Sequence, residues 1–146
     1  MHDDHHVDPE RAAFERFKLL PRDEPVEMLN LVRFRDVAAY PPGHPQHETN
    51  VTGAEAYRAY SRGSAAVFAR VGGRVIWSAS PRLVLIGPPD EQWDAAFVAR
   101  YPSASAFLEM ITDEEYRQAV IHRQAAVLTS RLIRTAPRDE AASSFG

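Results

Sequence analysis

The chain of 146 residues contains no cysteine. That excludes disulfides, thiolate nucleophiles and cysteine-ligated metals. Long apolar runs are also missing, since none approaches the roughly 20 residues that span a bilayer. Met1 to Val7 is polar and histidine-rich where a secretion signal would carry an apolar core. A cytoplasmic protein with no membrane partner is expected. Charge of one sign is not concentrated either: the formal net charge is −3 and the arginines are scattered, which argues against a nucleic-acid surface. No Gly-x-Ser-x-Gly occurs, and Gly72-Gly73 precedes a strand pattern, so neither a nucleophile elbow nor a phosphate loop is legible. His2, His5 and His6 lie in a terminal tail and His44 and His47 in a proline-rich loop. No helical His-x-x-x-His accompanies them, so neither a metal nor a cofactor is expected.

What is present is a regular alternation of patterns. Asp8-Pro9-Glu10 reads as a helix start, with Asp8 as N-cap and Phe14, Phe17 and Leu20 on one side. Val26 to Phe34 reads as a strand apolar on both faces. Val26, Met28, Val32 and Phe34 point one way, and Leu29 and Leu31 the other. Thr52 and Glu55 form a capping box for a helix bearing Tyr57, Tyr60, Ser64, Val67 and Phe68. Arg74 to Ala79 is a strand, with a continuation predicted over Leu83 to Ile86, and Trp93 to Tyr101 pairs back. Ser103 starts a short helix, Thr112 and Glu115 make a second capping box for a helix to about Leu128, and Arg131 to Thr135 is the last strand.

The order is a helix followed by β-α-β-β-α-β, an α+β fold of the ferredoxin-like type. Residues 1–24 are the N-terminal tail and helix, 25–136 the ferredoxin-like domain, and 137–146 a disordered tail. Helices cover one face of such a sheet. The other face is too apolar for water here, and a second copy is the simplest cover.

The same residues resemble the DUF1330 family. The stretches are Asn30 to Phe34, Gly53 to Tyr57 with Tyr60, Gly72 to Val75, Leu85 to Pro88, Trp93-Asp94, Tyr101 to Ser103, Phe107 with Met110, and Tyr116 with His122-Arg123. The resemblance covers about residues 25–135. It implies membership of the dimeric α+β barrel superfamily, in which two ferredoxin-like protomers place their sheets face to face as a homodimer. That superfamily includes cofactor-independent monooxygenases, muconolactone isomerase-like enzymes and haem-handling proteins. Fold alone does not transfer their chemistry.

One residue breaks the pattern. With Tyr116 at zero on a helical wheel, Val120 falls at about 40°, Val127 at about 20° and Arg123 at about −20°. Arg123 therefore lies inside an apolar stripe, where a guanidinium needs a partner or a cavity. It would clamp a substrate carboxylate or enolate, or else form an internal ion pair with Glu109 or Asp94. His122 is a candidate general base or a surface residue. Tyr57 and Tyr60 are candidate proton movers or plain core aromatics. Asn30, Trp77, Trp93 and Tyr116 are candidate pocket residues around Arg123. Two functional readings follow. One is a cofactor-independent enzyme, of isomerase or monooxygenase type, on a small organic acid or aromatic. The other is a non-catalytic dimeric small-ligand-binding or stress-associated protein.

Overall fold

The computed structural model describes residues 5–138. Strands β1 (Val26–Phe34), β2 (Arg74–Ala79), β3 (Ala95–Tyr101) and β4 (Val127–Thr135) form one antiparallel sheet in the order β2-β3-β1-β4. Helices α1 (Arg11–Leu19), α2 (Gly53–Arg70), α3 (Ala104–Thr112) and α4 (Glu114–Ala126) complete the fold. Without α1 this is the ferredoxin-like order, its second crossover divided between α3 and α4.

The alternation along β1 sorts the sheet into two faces. Val26, Met28 and Val32 are buried against the helices. Val26 and Met28 pack with Val67, Ala99, Tyr101, Phe107, Met110 and Tyr116. Val32 belongs to a second cluster with Tyr40, Ala56 and Ala125 to Val127. On the opposite face Leu29 pairs with Val98 and Ile133, and Leu31 with Ala96 and Arg131. Among the described residues no helix covers that face, and Trp77 stands 51% exposed beside it.

Several local expectations change. The segment Leu83 to Ile86 is not a strand, and Leu83, Leu85 and Ile86 are 78%, 85% and 93% exposed. Pro81 cannot donate to a ladder, and β3 offers no residues before Ala95 to pair with. Asp94 is diverted: its N–H donates to Val32 O at 2.8 Å and its Oδ2 accepts from Phe34 N at 2.8 Å. The Trp93 side chain therefore lies outside the strand. The capping box at Thr52 and Glu55 is present, but the one at Thr112 and Glu115 is not. Asp113 caps α4 instead, its Oδ1 accepting from Glu115 N at 2.8 Å, while the Thr112 hydroxyl donates back to Leu108 O at 3.0 Å. Helix α1 starts at Arg11 with Glu10 at its N-cap, because the Asp8 carboxylate accepts from Gln124 Nε2 at 3.2 Å. Strand β4 begins at Val127, four positions before Arg131, as α4 passes into it without a loop. The predicted tail lies outside the described residues from 139 onward.

The start of α2 is wedged against that α4–β4 passage. Gly53 N donates to Arg35 O at 3.1 Å, and Arg35 N donates to Ala126 O at 2.8 Å. A Cβ on Gly53 would collide with Arg35 O and meet Arg35 N at 2.8 Å and Ala126 O at 2.9 Å. All three are backbone atoms fixed by those bonds. Forced overpacking of this kind costs about 1–3 kcal/mol. Gly53→Ala should lower the melting temperature by about 3–10 °C in thermal unfolding followed by circular dichroism. An unchanged transition would show that the junction yields.

Candidate active site

An open cavity of about 1580 Å³ lies between the helix-facing side of the sheet and helices α1, α2 and α4. Asn30, Phe97, Ser130 and Leu132 line it from the sheet, and Tyr57, Tyr60, Tyr116 and Arg123 from the helices. Helical spacing explains the second group. Tyr57 and Tyr60 are three apart on α2, and Tyr116 and Arg123 seven apart on α4, so each pair shares a face.

The Arg123 guanidinium is held by oxygens that carry no formal charge. Nη1 donates to Val7 O at 2.6 Å and Nη2 to Ser130 Oγ at 3.2 Å. The Tyr57 hydroxyl is also within its hydrogen-bonding reach. The internal ion pair considered from sequence is not formed. Asp94 is engaged by the Phe34 N–H, and Glu109 is exposed on α3. Among the described residues no carboxylate pairs with this half-buried charge.

The phenols are kept neutral. The Tyr60 and Tyr116 hydroxyls share a hydrogen bond of 2.9 Å, and the Tyr57 and Tyr60 rings pack at 5.3 Å. Burial raises the pKa of Tyr57, Tyr60, Tyr101 and Tyr116, and the Arg123 charge only partly offsets this at Tyr57, Tyr60 and Tyr116. At neutral pH these hydroxyls are hydrogen-bond donors and not bases. Asn30 lines the same cavity, with its Nδ2 donating to Met28 O at 3.0 Å.

Three other candidates are elsewhere. His122 faces a separate recess with His44, Gly63 and Glu115. It shares a 2.6 Å hydrogen bond through Nδ1 with the Tyr40 hydroxyl, and the His44 ring stacks on Tyr40 at 4.6 Å. Burial, then the His44 and Arg62 charges, lower its pKa. Being next to Arg123 in sequence, it projects about 100° away around α4. Trp77 is on the uncovered face of the sheet. Trp93 lies beyond the start of β3, with the Arg131 guanidinium 5.3 Å over its ring. Val7, Phe17 and Ser130, by contrast, line the cavity without having been singled out. The Phe14 and Phe17 spacing was a usable signal for α1. Val7 gave none, being an isolated apolar residue in a polar tail. Among the described residues no group of three or more His, Asp or Glu side chains is placed to hold a metal.

A phenol whose folded pKa lies above its unfolded value favours the folded state while protonated. Stability is then complete below about pH 10 and declines as pH rises beyond it. Spectrophotometric titration should show no cavity tyrosine ionising near pH 10 in the folded chain, with phenolate appearing only alongside unfolding. Only Tyr40 lies outside the cavity, so a reversible folded-state titration of two or more tyrosines near 10 would contradict this.

The family model described as "Domain of unknown function (DUF1330)" matches residues 46–135, so the β1 stretch Asn30 to Phe34 falls outside the matched span. The RPA0582 protein of Rhodopseudomonas palustris, of unknown function, is 53% identical, with 92% of this chain and 98% of that one covered, at a TM-score of 0.84. Its methylated form is similar at 52% identity, 94% and 98% coverage and a TM-score of 0.87. SnoaB, a cofactor-independent oxygenase from Streptomyces nogalater, is 17% identical over 82% of this chain and 98% of its own, at a TM-score of 0.51, which is a likeness of fold. No curated protein matches. No helix among the described residues is long and apolar enough to cross a membrane. The family match over residues 46–135 and the near full-length similarity to the RPA0582 protein establish that the chain belongs to the DUF1330 family.

Proposed function

We propose that the chain binds a small, flat organic acid in this cavity and acts on it as a cofactor-independent enzyme of isomerase or monooxygenase type. The observation that carries this reading is Arg123: a half-buried cation with no carboxylate partner among the described residues, opening on an apolar cavity beside neutral phenols. A planar guanidinium accepts a carboxylate or enolate through two N–H donors. Tyr57 and the Tyr60–Tyr116 pair add O–H donors where charge would develop on an enolate oxygen, and Phe97 and Leu132 offer apolar area to a ring. Proton transfer would then use the tyrosines as acids. SnoaB, a cofactor-independent oxygenase, shares the fold, so the reading rests on the site and not on that likeness.

One observation favours the second reading, a non-catalytic binding protein. His122, the candidate base nearest in sequence, faces away, and raised pKa values remove the tyrosines from that role. Both readings share the anion site, so it is tested first. Loss of a hydrogen bond to a charged group costs about 1.5–3 kcal/mol, or about ten- to more than a hundredfold in Kd. Arg123→Gln should weaken benzoate binding by that range in calorimetry while the chain stays folded. An unaltered Kd would remove Arg123 from the site.

A second copy of the chain is the proposed partner. The uncovered sheet face carries Leu29, Leu31, Val98 and Ile133, a contiguous apolar row of the kind a two-fold dimer buries. Leu31→Arg would set a second cation beside Arg131 in that row. Sedimentation equilibrium should give a dimer for the unaltered chain and a shift to monomer for the variant. A monomer at micromolar concentration in the unaltered chain would end this proposal.

A further inference from the structure

The N-terminal segment sits on the cation of the cavity, yet it is weakly built into the fold. Residues 5–10 have no regular secondary structure. They are held by side chains reaching from the end of α4 and the start of β4. Arg123 Nη1 donates to Val7 O at 2.6 Å, Ser130 Oγ to His6 O at 2.8 Å, and Gln124 Nε2 to Asp8 Oδ1 at 3.2 Å, while His6 N donates to Thr129 Oγ1 at 3.1 Å. Helix α1, which follows, contains no buried residue, and its Leu19 is 86% exposed. Its main attachments are the Phe17 ring against Phe107 at 5.3 Å and the Arg134 guanidinium, which donates to Phe17 O and Pro21 O. A segment with few buried apolar contacts opens at a low free-energy cost. It also lies outside the span matched by the family model, which starts at residue 46.

The contact at Arg123 is replaceable in kind. A main-chain carbonyl is a neutral acceptor, whereas a carboxylate adds opposite charge and can take two parallel N–H bonds from the guanidinium. A ligand acid entering the cavity would therefore compete for the donors that now hold Val7 O. Residues of the same segment, Val7, Asp8, Pro9 and Phe14, form one wall of that cavity.

We infer that residues 5–19 are a self-docked lid, with the Val7 carbonyl standing at Arg123 in the place that a ligand carboxylate takes. The lid rests on the anion-site reading given above. Binding of an acid exchanges one oxygen for another at the guanidinium and releases the segment. Only a difference in affinity for the two states can drive such a shift, and the charge on the ligand supplies it.

The absence of native cysteine makes a clean test possible in the full chain. His6→Cys with Thr129→Cys joins two hydrogen-bonded neighbours, so oxidation locks the lid and reduction frees it. Benzoate is the probe. In calorimetry the reduced form should bind it at least tenfold more tightly than the oxidised form. In the unaltered chain, benzoate should speed hydrogen exchange across residues 5–20 and leave β1 unchanged, a measurement that stands even if the double variant folds poorly. Equal affinity in both redox forms, with exchange over residues 5–20 unaltered, overturns the lid and leaves the anion site intact. No benzoate binding by the unaltered chain or by either form of the variant overturns both.

Discussion

Four elements meet at one backbone junction. The last residue of α4, Ala126, accepts from Arg35 N just past β1, and Arg35 O in turn accepts from Gly53 N at the first residue of α2. Only glycine fits at position 53, because those same carbonyl and amide atoms fill the space of a Cβ. The junction also sets the cavity. Tyr57 follows Gly53 by one helical turn, and Arg123 precedes Ala126 by just under one. Two residues far apart in sequence are thereby brought to a common point, where the Tyr57 hydroxyl meets Arg123 and the Tyr60 and Tyr116 hydroxyls join α2 to α4.

The electrostatic character of the cavity follows from what surrounds the guanidinium. A carboxylate partner would have neutralised Arg123 and left an inert internal pair. Oxygens of a carbonyl, a serine and a tyrosine satisfy the donors while leaving the charge in place. The phenols beside it do not ionise to compensate, because burial outweighs the pull of the cation. The site therefore keeps a positive potential and a set of neutral donors, an arrangement suited to meeting negative charge rather than to abstracting a proton.

Strands and helices with a single clear period were readable in the sequence. Alternation in Val26 to Phe34 placed Met28 and Val32 against the helices and Leu29 and Leu31 on the other side, and Thr52 with Glu55 marked the start of α2. Helical spacing likewise brought Tyr57, Tyr60, Tyr116 and Arg123 together. Failures occurred where a tertiary contact overrode a local signal. Leu83 to Ile86 has strand composition but no neighbour to pair with, and Asp8 caps nothing because Gln124 holds its carboxylate. His122 is adjacent to Arg123 in sequence but not around the helix, and it faces the separate recess with His44. Trp77 was assigned to the cavity, although the register with Val98 puts it on the uncovered face.

The bonds from Arg123 to Val7 and from His6 to Thr129 join residues 116 and 123 positions apart. During synthesis residues 6–8 precede by 116 to 124 positions the side chains of α4 and β4 that hydrogen-bond them. Those bonds must therefore wait until α4 and β4 have been made. Closure of so long a loop places its docking among the late events of folding. The sheet and its helices are assembled with the cavity open, and the covering wall arrives after them.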